Sequence, residues 1–120
     1  MKRDLDLTRK ILEQVEEKSQ GMGMVDLDIP GFTQDQISYH VMQLDQAGFL
    51  KAIDCSTMEG MDWKASSLTW DGHEFLDAIR NEAVWNKIKE TVKDKGGSIS
   101  FEVLKALALQ LAGSVFGVGG

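Results

Sequence analysis

Only one cysteine, Cys55, and two histidines, His40 and His73, occur in the 120 residues. A lone thiol excludes an intramolecular disulfide and leaves a cysteine-only zinc site without ligands. The opening residues, MKRDLDLTRK, turn charged at once and offer no apolar run of the kind a secretory leader carries. Together these features point to a reducing cytoplasm. Basic residues are also scarce, 13 lysines and arginines against 19 acids for a formal net charge of −6. That balance argues against a protein that coats nucleic acid, although a local patch could still bind phosphate. The glycines at 21, 23, 96 and 97 have neither the spacing nor the following lysine of a phosphate loop. The rest is ordinary for one soluble domain, with 42% hydrophobic and 27% charged residues and enough length to bury a core.

Periodicity gives the elements. Leu5, Thr8, Leu12 and Val15, with Leu7 and Ile11, form a stripe at helical spacing, and Arg9 and Glu13 pair four apart on the other side. Ser19 to Gly23 stop that helix. In "MVDLDIPG", Val25, Leu27 and Ile29 alternate with Asp26 and Asp28, which predicts a short strand ending at Pro30-Gly31 with the aspartates facing solvent. "TQDQISYHVMQLDQAGFL" predicts a second helix. Thr33 is its N-cap, Gln36 completes a capping box, Ile37, Val41 and Leu44 face inward, and Gly48 is the left-handed stop. "FLKAIDCS" and "WKASSLTW" around the polar tip "TMEGMD" predict a β-hairpin, with Cys55 a structural thiol in its first strand. Residues 70–81 and 83–95 then read as two helices, or as one helix bent near Asn81. Val84, Trp85, Ile88 and Val92 line the inner side of the second segment.

The last segment, "SISFEVLKALALQLAGSVFGVGG", differs in kind. From Phe101 to Phe116 it is apolar nearly all round, yet shorter than the roughly 20 residues a membrane span needs, and it carries two charges. Such a helix must be buried between two layers, and in a small chain the second layer is expected to be another subunit. Phe101, Leu104, Leu107, Leu111, Val115 and Phe116 are the candidate core or dimer residues. The closing Gly-Val-Gly-Gly is expected to fray.

The expected fold class is therefore α+β, mostly helical. The order helix, strand, helix, hairpin, helix is that of a winged helix, here with extra C-terminal helices. A winged-helix core spans 1–81 and a helical extension spans 82–120, within a single domain. "ISYHVMQLDQAGFLKA" resembles the recognition helix and first wing strand of MarR-like and PadR-like regulators, and "LTWDGHEFLDAI" resembles the element that closes their wing. At larger scale, "MKRDLDLTRKIL", "SYHVMQLDQAGFL", "LTWDGHEFLDAIR", "VWNKIKE" and "SFEVLKAL" resemble a family of phage and bacterial proteins catalogued only as a domain of unknown function. That resemblance spans nearly the whole chain and implies no activity.

"LTWDGHEFLDAIR" also stands one residue short of the H-E-x-x-H zinc pattern. A catalytic site would need His40, His73 and Asp77 to converge, with Glu74 as base. Placing 100° per residue from Gly72 puts Phe75, Leu76 and Ile79 inside, Glu74 nearly opposite the core, and His73, Asp77 and Arg80 together on the flank. An arginine beside the ligands opposes a cation, whereas an Asp77–Arg80 pair explains the pattern simply. Thr69 as cap, Asp71 at the positive helix end and Gly72 at a close approach to the wing account for the rest, with Trp70 and Phe75 packing beneath the sheet. No catalytic residue, metal or cofactor is assigned, and an enzyme is the least favoured reading.

Two binding readings remain. On the second helix, Gln34, Ser38, Tyr39, Met42, Gln43 and Gln46 are the candidate partner-binding residues. Glutamines and Ser38 could read base edges, but the helix has no lysine or arginine. Residues 33–75 hold seven acids (Asp35, Asp45, Asp54, Glu59, Asp62, Asp71, Glu74) against Lys51 and Lys64, a net of −5. DNA would be repelled by such a face, whereas outward Tyr39 and Met42 suit a protein interface. The expected function is thus a non-enzymatic binding or regulatory module, dimeric through its last helix, with protein contact favoured. The alternative is a dimeric DNA-binding regulator whose basic contacts come from Lys2, Arg3, Arg9, Lys10 and the lysines after Trp85.

Overall fold

Helix α1 (Leu5–Lys18) opens where Asp4 leaves the extended region and its carboxylate accepts from Leu7 N–H, satisfying a donor that the first turn cannot. Leu7, Thr8, Ile11, Leu12 and Val15 are buried along one side, and Arg9 meets Glu13 at 3.5 Å across the other. The computed structural model describes residues 2–20, 23–97 and 99–115, with the side chains at 114 and 115 excepted. Among these are five helices and one two-stranded sheet, a mixed α+β, mostly helical arrangement consistent with a winged-helix-like order. Phe116 and the terminal glycines lie outside the described residues.

The segment after α1 corrects the expected strand. Burial does alternate, with Val25 and Ile29 inside and Asp26 and Asp28 outside, but the described residues 23–29 form no strand. A single ladder-type bond, Val25 N–H to Ala65 O at 2.8 Å, joins the segment to the hairpin. Three of its backbone groups go to side chains of α1. Gln14 accepts from Asp28 N–H at 3.0 Å and donates to Asp28 O at 2.6 Å, and Lys18 Nζ donates to Asp26 O at 2.8 Å. Alternation reports one buried face, and a strap tied by side chains satisfies it as well as a ladder does.

Helix α2 (Gln34–Gln46) starts at Thr33 with both bonds of the capping box formed and buries Ile37, Val41 and Leu44. Gly48, at φ +84°, supplies the left-handed turn that ends it. Strands β1 (Leu50–Asp54) and β2 (Trp63–Leu68) pair antiparallel, Leu50 opposite Leu68 and Asp54 opposite Trp63, with an irregularity between Lys51 and Ala52. Cys55 falls just past β1 and is half-buried.

Helix α3 (Trp70–Ile79) begins at once after β2. Thr69 Oγ1 accepts from Gly72 N–H at 3.0 Å and donates to Gly48 O, so one hydroxyl caps α3 and ties down the end of α2. Gly72, Phe75, Leu76 and Ile79 are buried while His73, Asp77 and Arg80 are exposed. Trp70 does not pack beneath the sheet and is 77% exposed. With Gly72 turned inward, a residue two positions earlier falls about 160° away on the helix. Asn81 then caps α4 (Glu82–Asp94), so two helices form rather than one bent one.

The chain divides into two compact units, Met1–His73 and Glu74–Gly120, with the boundary inside α3. In the first, α1 and α2 pack on each other and on the hairpin. In the second, α4 buries Val84, Trp85, Ile88 and Val92 and packs against α5 (Phe101–Val115). No helix among the described residues is long and apolar enough to cross a membrane.

Candidate functional site

Of the α2 side chains singled out from the sequence, the structure splits those turned to the hairpin from those turned away. Ser38 was expected to face outward and is instead fully buried. Its Oγ accepts from Trp63 N–H at 3.0 Å and from Gln34 Nε2 at 3.3 Å, and Gln34 Nε2 also reaches Asp62 Oδ1 at 3.3 Å. Ser38 lies on the flank of the Ile37–Val41–Leu44 stripe, and the hairpin closes over that flank. The readable signal was a small hydroxyl at the stripe's margin, which a neighbouring backbone can approach. Gln43, on the opposite flank, accepts from Arg3 Nη2 at 3.2 Å. Tyr39 and Met42 are half-buried, and Asp35 and Gln46 are exposed.

Sequence reasoning weighed His40 for chemistry, as a metal ligand or beside Cys55, and missed its structural role. The ring is 2% exposed. Nε2 accepts from Asp4 N–H at 2.7 Å while Nδ1 lies 2.7 Å from Gln36 O. A backbone N–H can only donate, so the proton sits on Nδ1 and the ring is neutral. Burial pushes its pKa below the ordinary 6.5 and outweighs the opposing effects of the Gln36 carbonyl and the Asp4 charge. Tyr39 and this ring meet nearly at right angles, with centroids 5.6 Å apart.

The hairpin is closed by polar bonds at its tip. Thr57 and Gly60 exchange backbone bonds at 3.0 and 3.1 Å, and Ser56 Oγ accepts from Asp62 N–H at 2.9 Å. Asp54 accepts from Ser56 N–H at 2.9 Å, and the Ser56 hydroxyl and amide together lower its pKa. The tip leans toward the start of α2, since a Cβ on Gly60 would come within 3.9 Å of Asp35 Oδ1. Met58 at the tip is fully exposed and Ile53 on β1 is 52% exposed. Neither stood among the residues chosen from the sequence, because an apolar residue in a strand or tight loop gives no sign of which way it points. A cleft of about 90 Å3 opens between Val25–Leu27, Gln34, Ile37 and Asp62–Lys64, with Lys64 Nζ 3.6 Å from Asp62.

His73 and Asp77 have different neighbours. His73 Nδ1 lies 3.5 Å from Glu16, and Asp77 accepts from Arg80 Nε and Nη2 at 3.1 and 3.0 Å. Both ring nitrogens of His40 are engaged as described, and Glu74 is half-buried. Among the described residues no three histidine, cysteine or carboxylate side chains are grouped to hold a metal ion.

On α5, Phe101 and Leu104 are buried and Leu107 and Leu111 half-buried. Val103 and Leu109 are 53% and 39% exposed. Val115 ends the helix, and Phe116 lies outside the described residues.

No solved structure matches this chain. A Haemophilus influenzae protein described as "Uncharacterized protein" is 43% identical over 109 residues, covering 90% of this chain and 92% of that protein. The family model described as "Hypothetical protein (DUF2513)" matches residues 2–98, which carry every element from α1 to α4, and the chain belongs to that family.

Proposed function

We propose that the chain is a non-enzymatic winged-helix binding module, regulatory in role, that contacts protein in preference to DNA. The observation that carries this reading is the engagement of Gln34 and Ser38, bonded to each other and to Asp62 and Trp63 of the wing at 3.0–3.3 Å. A helix that enters the major groove needs such groups free for base edges, with cations beside them for phosphate. Helix α2 has no lysine or arginine, and the helix–wing stretch has a net charge of −5 over residues 33–75. Exposed Met58 and Ile53 offer apolar area of the kind that anchors protein interfaces, and exposed Asp54 and Glu59 on the same hairpin suit a basic partner surface.

The same reading places the module in the cytoplasm, as a homodimer through α5, in a phage-related setting in keeping with the sequence resemblance. Exposed Val103 and Leu109 on α5 support the dimer. The test is titration of the full chain into random duplex DNA at low salt. No binding is expected. Binding that weakens steeply as salt rises would overturn the reading and restore the DNA-binding regulator.

A further inference from the structure

We propose that His40 is a pH-sensitive latch, holding Arg3 and Asp4 along one flank of α2 while neutral and releasing them when protonated. The inference concerns the first unit alone and does not depend on what α2 contacts. Gln36, His40 and Gln43 fall on one flank of the helix, at i, i+4 and i+7. The segment before α1 lies along them, with Asp4 N–H on His40 Nε2 at 2.7 Å and Arg3 Nη2 on Gln43 Oε1 at 3.2 Å. Asp4 is also the N-cap of α1. Its carboxylate accepts from Leu7 N–H at 2.9 Å, and its carbonyl accepts from Thr8 N–H at 3.0 Å and Thr8 Oγ1 at 2.8 Å. Whatever moves Asp4 therefore loosens the first turn of the helix.

Protonation would put an N–H on Nε2 facing the N–H of Asp4. One bond is lost, two donors are opposed, and a charge is created on a ring with 2% of its surface exposed. The charged groups that face the ring come from the segment before α1. Asp4 favours the imidazolium and Arg3 opposes it, while α2 contributes no charge, only the Gln36 carbonyl on Nδ1, which also favours the imidazolium, and the Tyr39 ring. One oxygen of the Asp4 carboxylate, Oδ1, is already engaged by Leu7 N–H. The relief lies in moving Asp4 and Arg3 off α2, which hydrates the ring and uncovers Gln43.

Amide hydrogen exchange on the full chain, corrected for intrinsic rates, tests this. Below pH 6.5, opening at Leu7 and Thr8 should rise ~tenfold per pH unit, while Ile88 in α4 holds steady. In His40→Phe the same amides should open more at neutral pH, where the acceptor for Asp4 N–H is missing, with that slope gone. Protection in the wild type that does not change with pH overturns the latch, as does an unchanged slope in His40→Phe. Should that variant not fold, NMR titration of the His40 ring in the wild type decides. A proton on Nδ1 and a midpoint below 6.5 support the latch; a proton on Nε2, or a midpoint at or above 6.5, overturns it.

Discussion

A Cβ placed on Gly72 would stand 1.8 Å from the carbonyl oxygen of Phe49. The same oxygen accepts from Thr69 N–H at 3.1 Å, so the start of α3 and the entry to β1 meet backbone against backbone. Alanine at this helical position would gain about 1 kcal/mol of helix propensity. The clash is with backbone, which cannot swing aside, and overpacking of that kind costs about 3 kcal/mol. Gly72→Ala should therefore lose about 2 kcal/mol net, read as a lower urea midpoint with an unchanged slope.

Removing the Ser38 hydroxyl takes the acceptor away from both Trp63 N–H and the Gln34 amide. Ser38→Ala should cost about 1–2 kcal/mol, the usual loss when a buried bond is broken from one side. It should also speed amide exchange at Trp63 while leaving α4 unchanged. Unchanged exchange at Trp63 would show that the wing does not depend on this bond.

His40 predicts how stability varies with pH. Its folded pKa is lowered, so above 6.5 the ring is neutral in both states and its contribution is constant. Below 6.5 the unfolded chain takes up a proton that the folded ring refuses. Stability then falls, by up to about 1.4 kcal/mol per pH unit, until the folded ring titrates as well. Urea unfolding on either side of that value should show the loss in the wild type and not in His40→Phe. Asp54 has a lowered pKa too, but a carboxylate held down in this way gives up its contribution only as pH falls below 3.8, outside that window.

If α5 joins two copies, Val103→Glu should give a monomer by light scattering at micromolar concentration, with the thermal midpoint of the monomer unaltered. The side chain is 53% exposed, so little intramolecular packing is at stake. A wild-type chain that is already monomeric would sink the dimer.

Local chemistry was the most legible part of the fold. The Thr33–Gln36 capping box, the Gly48 stop, the Thr69 cap and the close approach at Gly72 each follow from short-range sterics and hydrogen bonding, which a sequence carries within a few residues. Trp70 apart, which helix geometry alone places outside, the misreadings concern long-range partners. Whether Val25–Ile29 finds a ladder depends on Gln14 and Lys18 of α1, and whether Ser38 points out depends on where the hairpin folds back. His40 was the least legible, since its two partners are backbone groups with no side-chain signature. For the candidate site, the acidic balance of α2 and the hairpin was plain from the sequence, whereas the exposure of Met58 and Ile53 needed the fold.

The segment bonded to β2 at Ala65 has one more consequence. An edge strand left bare invites another chain to pair with it, and the neighbour that takes one place on this edge is held by amide and ammonium groups. Gln14→Ala should thus be read less in the unfolding midpoint than in shelf life. The folded protein should persist, but its solutions should turn turbid sooner and scatter more light as concentration rises. A helix side chain would then be acting as a guard against self-association.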